Sequence, residues 1–387
     1  NSLIELEEIK TASYKDEDIK YSARQLIHLL INNKDKFDVY NPSLNTIDNQ
    51  ITNGGLPLNN DNRIIFSALS YQENTKEDLL FITSDAACYT IASHVGLQAS
   101  FLLEDDDKYG GFKIIEMNDD ELSHFYSDIL INNTNDFELL LNEYLLIKYE
   151  NKIIDKYKWC ENKYIKIPFY KTESKMFGTI VPKDNDPYQQ IALDSLYTNQ
   201  ITMLRGPAGT GKSYLAFGYM FDLLEKGTID KIIVFCNTVA TKGSAKLGFY
   251  PGSRTEKLLD SQIGNLLVSK IGDRIAVERL IDDGQLILLP MSDIRGYDTT
   301  GMKAAIYISE AQNLDIELIR LALQRVGEDS ICILDGDSET QVDLGMYSGS
   351  RNGMKRTSKV FRDHDFYGEV TLQNIYRSKI ANLAQEL

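Results

Sequence analysis

Apolar positions in the first 127 residues recur mostly at helical spacing. Helices are predicted over residues 5–10, 18–32, 62–72 and 86–95, the last stopped at Gly96, with a strand over 78–83. Strands alternating with helices predict a parallel α/β sheet. Between residues 133 and 183 the period changes to two, as in Tyr144-Leu145-Leu146-Ile147-Lys148-Tyr149 and Lys163-Tyr164-Ile165-Lys166-Ile167-Pro168. This texture predicts a small antiparallel β connector. Beyond Pro182 come a strand at 200–204, a helix from 212 to 226 stopped at Gly227, and strands at 231–236, 285–289, 303–308, 330–334 and 369–372. These make a second α/β domain, and the chain shows no internal repeat.

Composition narrows this picture. At 387 residues and roughly 150 residues per domain, the chain has room for two domains. With 43% hydrophobic and 25% charged residues it is globular, which excludes extended disorder over most of its length. Its longest apolar stretches, such as 286–290, are strand-sized, well short of the roughly 18 residues that a membrane helix needs. No membrane partner is expected. The opening Asn1-Ser2-Leu3-Ile4-Glu5 carries no basic segment followed by an apolar one, so a cytoplasmic location is expected, with sequence upstream of Asn1 left open. Cys88, Cys160, Cys236 and Cys332 lack Cys-x-x-Cys spacing and fit a reducing compartment. A net charge of −16 argues against a uniformly basic nucleic-acid surface but leaves room for a local basic channel. The acidic run Glu104-Asp105-Asp106-Asp107 reads as a solvated loop, and His28, His94, His124 and His364 as packing or surface residues.

The strongest chemical signal is Gly206-Pro207-Ala208-Gly209-Thr210-Gly211-Lys212-Ser213, a Gly-x4-Gly-Lys-Ser loop lying between an apolar strand and an amphipathic helix. Its glycines let successive N–H groups turn inward toward phosphate, Lys212 reaches the terminal phosphates, and the Ser213 hydroxyl faces Mg²⁺. A nucleotide's phosphates with Mg²⁺ are therefore expected at this loop. The apolar strand ending at Ile308 runs into Ser309-Glu310, which makes Glu310 the expected general base. An Asp ordinarily precedes that Glu and holds the metal; here the residue is Ser309. The next strand ends in Asp335-Gly336-Asp337, which offers a substitute carboxylate, with Asp337 the metal candidate beside Ser213. A plain turn explains Asp-Gly-Asp equally well.

These residues also carry a resemblance. Leu247-Gly248-Phe249-Tyr250-Pro251-Gly252 with Glu256-Lys257-Leu258, Ile294-Arg295-Gly296 and Ser309-Glu310-Ala311-Gln312-Asn313 resemble the signature of PhoH-like ATPases. Asn352-Gly353-Met354 and Arg377-Ser378 extend the match over residues 181–387. The resemblance implies a RecA-like domain related to superfamily 1 helicases, in which an upstream Gln reads adenine. Gln189, in Asp186-Pro187-Tyr188-Gln189, is similar to it. The stretch from Gly336-Asp337 to Gln341-Val342-Asp343 resembles the family's Gly-Asp-x-x-Gln phosphate sensor with one residue more, which implies Gln341. Arg377 is similar in place to the family's late arginine, which contacts the γ-phosphate; an exposed salt bridge is its plain alternative.

PhoH-like ATPases are often fused to a PIN nuclease domain, and the N-terminal half resembles one. Glu5 in Ile4-Glu5-Leu6-Glu7, Asp61 in Asp61-Asn62-Arg63-Ile64 and Asp85 in Thr83-Ser84-Asp85 are similar to its acidic elements. Clustered carboxylates that hold Mg²⁺ or Mn²⁺ suit phosphodiester hydrolysis. Each acid also has a plain reading: Glu5 as a helix-face charge, Asp61 and Asp85 as helix N-caps. PIN domains open with a strand ending in a metal-anchoring Asp, and this sequence starts past that point, so either the first ligand lies upstream or the site is degenerate.

The expected fold is therefore α/β, with a PIN-like α/β/α domain (1–132), a β-rich connector (133–180) and a RecA-like P-loop ATPase domain (181–387). The implied function is an ATP-hydrolysing, helicase-like RNA-remodelling motor fused to a metal-dependent endoribonuclease. A ring, a hexamer, is implied, with single-stranded RNA guided by local bases including Lys355, Arg356 and Lys359. The alternative is a nucleotide-sensing oligomeric scaffold with weakened ATPase and nuclease sites.

Overall fold

The computed structural model describes residues 2–12, 17–101, 109–236, 259, 262–337 and 352–376. The expectations placed on Glu104-Asp105-Asp106-Asp107, on residues 247–258, and on Gln341, Arg377 and Ser378 lie outside the described residues. The chain divides into two compact units, Asn1–Asp107 and Lys108–Leu387.

The first unit runs α1 (Ser2–Thr11), α2 (Glu17–Asn32), α3 (Leu44–Asn53), α4 (Asn60–Thr75), β1 (Leu80–Thr83), α5 (Ala86–His94) and β2 (Gln98–Phe101). Strands β1 and β2 pair in parallel across α5, as a crossover requires. Ile47 and Ile51 of α3 pack with Ile65 and Phe66 of α4 and with Cys88, Ala92 and Leu97. Helix α3 escapes sequence reading because those two isoleucines, one turn apart, are its only buried side chains in an otherwise polar segment.

The second unit begins with β3 (Phe112–Glu116), α6 (Asp119–Ile131), β4 (Tyr144–Tyr149), β5 (Lys152–Cys160) and β6 (Lys163–Lys166), a sheet in that strand order. β4, β5 and β6 are antiparallel as expected, but β3 joins β4 in parallel. The reason is α6, a crossover that brings the chain back in the same direction. Residues 112–131, grouped by sequence with the N-terminal domain, thus belong to the second unit.

A hairpin, β7 (Thr172–Ser174) and β8 (Gly178–Ile180), leads to α7 (Pro187–Thr198), β9 (Ile201–Arg205), α8 (Lys212–Glu225) and β10 (Lys231–Cys236). Then follow α9 (Gln262–Ile271), α10 (Arg274–Asp282), β11 (Leu286–Pro290), β12 (Ala304–Ile308), α11 (Ile316–Leu323), β13 (Ile331–Gly336), α12 (Gly353–Phe361) and β14 (Tyr367–Thr371). Strands β9 to β14 form one parallel sheet in the order β11-β10-β12-β13-β9-β14. Burial on both faces explains why these strands read as unbroken apolar runs.

Alternation sorts their side chains. Leu204, Val234, Tyr307, Ile333 and Val370 pack with α7 and α8, while Met203, Ile233, Ile306, Leu334 and Tyr367 fill the opposite core. Tyr144, Leu146, Ile167, Phe177 and Ile180 join the α7–α8 core, so the β-rich segment packs as part of this unit. Asp194 of α7 accepts from the hydroxyls of Tyr144 (2.9 Å) and Tyr170 (2.8 Å), reinforcing that seam. Among the described residues no helix is long and apolar enough to cross a membrane.

Candidate nucleotide site

The chain leaves β9 toward β10 on one side of the sheet, and β14 returns on the other side of β9. Parallel sheets bind ligands at the carboxyl ends of strands where direction switches in this way, and the Gly-rich loop lies there. Gly206, Gly209 and Gly211 have φ of 124°, 92° and 98°, conformations that side-chain-bearing residues rarely adopt. Gly206 has a second constraint, because a Cβ there would lie 2.2 Å from the Leu372 carbonyl oxygen. Pro207 and Ala208 complete the arch, and the Thr210 hydroxyl closes it by donating to the Pro207 carbonyl at 3.0 Å. Lys212 curls back over the loop, its Nζ donating to the carbonyls of Gly206 (2.6 Å) and Pro207 (3.1 Å).

Gln189 is buried and braces this loop. Its Nε2 donates to the Thr210 carbonyl at 3.0 Å, and its Oε1 accepts from the Lys183 N–H at 2.9 Å. It thus lies beside the loop with its amide engaged by protein partners. Asp186 caps α7 through the Tyr188 N–H at 2.8 Å and accepts from the Tyr376 hydroxyl at 2.7 Å. The Tyr376 N–H donates to the Gly209 carbonyl at 2.9 Å, so the residue preceding Arg377 is tied to the loop. Burial, with the hydrogen bond to Asp186, pushes the Tyr376 phenol up.

Across the site, β13 intervenes between β9 and β12. Glu310 follows β12 in a left-handed conformation, φ 51° and ψ 42°. Gln312 Nε2 donates to Glu310 Oε2 at 2.6 Å, while Gln312 Oε1 accepts from the Asp337 N–H at 3.2 Å. Asn352 Nδ2 donates to the Gln312 carbonyl at 2.9 Å, so α12 is docked behind the same segment. Gln312 is a site residue that spacing alone does not single out; its place in the Glu310-Ala311-Gln312-Asn313 run is the signal the sequence carries.

The Ser213 hydroxyl donates to Asp335 Oδ2 at 2.8 Å, Tyr307 OH donates to that same oxygen, and the Glu310 N–H reaches Asp335 Oδ1 at 3.3 Å. Burial and the Asp335 charge push the Tyr307 phenol well above its ordinary value. Of the two acids in Asp335-Gly336-Asp337, Asp335 is therefore the one at Ser213. The buried Asp337 is placed by its backbone against Gln312. Hydroxyl and carboxylate oxygens beside a phosphate-binding loop are the hard donors that Mg²⁺ takes, so the residues fit that ion.

In the first unit Asp85 caps α5, accepting from the Cys88 N–H at 2.8 Å, which holds its carboxyl below the usual range. Asp61 lies in the first turn of α4, whose N-cap is Asn59. Glu5 lies in the first turn of α1. Burial, then the charges of Asp61, Asp85 and Glu5, push the Cys88 thiol up to about 11, so all three acids act on one point. Among the described residues no three acidic, His or Cys side chains form a group able to hold a metal ion. The plain reading of Asp85 as an N-cap is realised as well.

Residues 180–387 match the family described as PhoH-like protein, and residues 2–102 match the PIN domain. Protein PhoH2 of Bacillus subtilis is 29% identical over 356 residues, covering 85% of this chain and 77% of that protein. Protein PhoH2 of Mycolicibacterium smegmatis is 29% identical over 57% of this chain, which spans 50% of that relative's length. The crystal structure of Pif1 helicase from Candida albicans aligns over 52% of this chain and 41% of its own at 17% identity, with a TM-score of 0.26. With a match across residues 180–387, more than half its length, and a PIN domain before it, the chain belongs to the PhoH-like protein family.

Proposed function

We propose that the chain hydrolyses ATP at the Gly206–Ser213 loop to remodel single-stranded RNA, and that the N-terminal domain cuts the same substrate. The observation that carries the ATPase half is the loop itself: three positive-φ glycines at the start of α8, with the Lys212 ammonium folded into the arch. Its carbonyl partners are modest substitutes for phosphate oxygens, so ATP draws Lys212 onto the terminal phosphates. The inward N–H groups and the positive end of α8 add to that attraction. Ser213 would hold Mg²⁺, which when bound would offset the charge of the terminal phosphates. Glu310 orients the attacking water and takes its proton, and Gln312 aims the Glu310 carboxylate. Gln341 and Arg377 are the proposed γ-phosphate contacts, with Arg377 acting within or between subunits of a hexameric ring.

The nuclease half rests on the PIN match, with Glu5, Asp61 and Asp85 as its proposed acids. The described acids do not by themselves make a metal site. Arg356 and Lys359 on α12 are exposed, as an RNA path requires, and Lys355 is half-buried beside them.

The test is cleavage of end-labelled single-stranded RNA by the whole chain with Mg²⁺ or Mn²⁺, with and without ATP, beside Asp85→Asn and Glu310→Gln. Cleavage lost in Asp85→Asn and altered by ATP supports the coupled enzyme. Absence of cleavage, with nucleotide-dependent assembly that survives Glu310→Gln, would contradict it in favour of a scaffold.

A further inference from the structure

The position where an Asp is ordinarily expected to serve the metal is Ser309, and its buried hydroxyl donates to the Phe235 carbonyl at 3.3 Å. The carboxylate that does meet Ser213 comes from the neighbouring strand. Ile308 of β12 is paired with Leu334 of β13, so the next rung sets Ser309 beside Asp335. Asp335 is in turn paired with Leu204 of β9, the strand that feeds the loop. Side chains alternate along a strand, so Asp335 shares the α8 face with Ile333, as Ser309 does with Tyr307. An acid moved from 309 to 335 thus keeps its level and its face. It shifts one strand, about 4.8 Å, toward the loop.

The surroundings of Asp335 suit a cation. The residue is 4% exposed, and among the described residues it has two hydroxyls and one N–H as partners and no ion pair. A buried carboxylate without a countercharge is costly, and a divalent ion at Ser213 supplies one. The hydroxyl of the fully buried Tyr307, two residues before Ser309 on the same face, fixes the carboxylate's orientation.

We infer that Asp335 is the acid that completes the Mg²⁺ site at Ser213, in place of the residue at 309, with Tyr307 as its positioning residue. The inference rests on the nucleotide-binding reading of the loop. It is tested on the whole chain by the affinity for a fluorescent ATP analogue in EDTA and in Mg²⁺, and by electron paramagnetic resonance of Mn²⁺ bound with the analogue. Wild type is expected to tighten on adding Mg²⁺ and to immobilise Mn²⁺. Asp335→Asn is expected to bind the analogue in EDTA as wild type does, while metal affinity falls about 10–100-fold. The double variant Ser309→Asp, Asp335→Ser is expected to regain part of that loss, because it returns the acid to the adjacent strand at the same rung.

An Asp335→Asn protein that keeps the wild-type Mg²⁺ gain and Mn²⁺ signal would overturn the inference and leave the nucleotide reading standing. A wild type that binds no analogue with or without metal would overturn both. Should Asp335→Asn fail to fold, Tyr307→Phe replaces it, since that change removes only the positioning hydroxyl. Metal affinity reduced several-fold at unchanged EDTA affinity supports the inference, and unchanged metal affinity overturns it.

Discussion

Glu310 holds a left-handed backbone at the end of a fully buried strand, a conformation that costs a non-glycine residue about 1–3 kcal/mol and persists where the surroundings impose it. The strain puts the carboxylate beside Gln312 and the backbone N–H beside Asp335. Gly206 shows the complementary case, where only the absence of a side chain permits both the backbone angle and the contact with Leu372. Gly206→Ala is therefore expected to abolish ATP binding and to lower the melting temperature, checked by titration and thermal unfolding; wild-type affinity in that variant would contradict the close approach. At this scale the loop and Glu310 were legible because their chemistry demands fixed spacing next to a strand. The choice between Asp335 and Asp337 was not, since it depends on where β13 ends. The strand runs to Gly336, two residues past the expected 334, and alternation from Ile333 then selects Asp335.

At the scale of elements, the parallel strands were readable because both their faces are buried. Helices α9 and α10 are amphipathic at helical spacing, whereas the parallel placement of β3 depends on a tertiary partner that local periodicity does not encode. The β7–β8 hairpin is one such tertiary attachment. Glu225 at the end of α8 accepts from the Ser174 hydroxyl (2.7 Å), the Lys175 N–H (2.7 Å) and the Met176 N–H (2.9 Å). Burial raises the pKa of Glu225, but these donors outweigh it and hold the carboxyl below its ordinary value. A depressed folded-state pKa means stability that is present above about pH 4.3, the unfolded value, and lost as pH falls below it. Glu225→Gln is expected to melt lower than wild type at pH 7, with the gap closing below about pH 4. A gap that does not change with pH would show that the clamp is not ionic.

At the scale of the molecule, the family match begins at residue 180, while the physical unit begins at 108. Tyr144, Leu146, Ile167, Phe177 and Ile180 are buried in the α7–α8 core, and Ile180 packs where a Cβ on Gly218 would stand 1.5 Å from its Cδ1. Each large side chain contributes about 1.5–3 kcal/mol on burial, against a net stability of only about 5–15 kcal/mol for a domain. A chain of residues 181–387 is therefore expected to aggregate or to melt well below one of residues 108–387, as comparative thermal unfolding would show. Sequence texture marks a β-rich segment by a change of pattern, but a change of pattern does not reveal which core the new segment joins. A single ATP-hydrolysing site built from the Gly206–Ser213 loop and Glu310 is tested by steady-state ATP turnover of the whole chain in Mg²⁺. Turnover that falls by at least about 100-fold in Glu310→Gln, with ATP still bound, is the predicted result. Equal turnover in Glu310→Gln and wild type would contradict it.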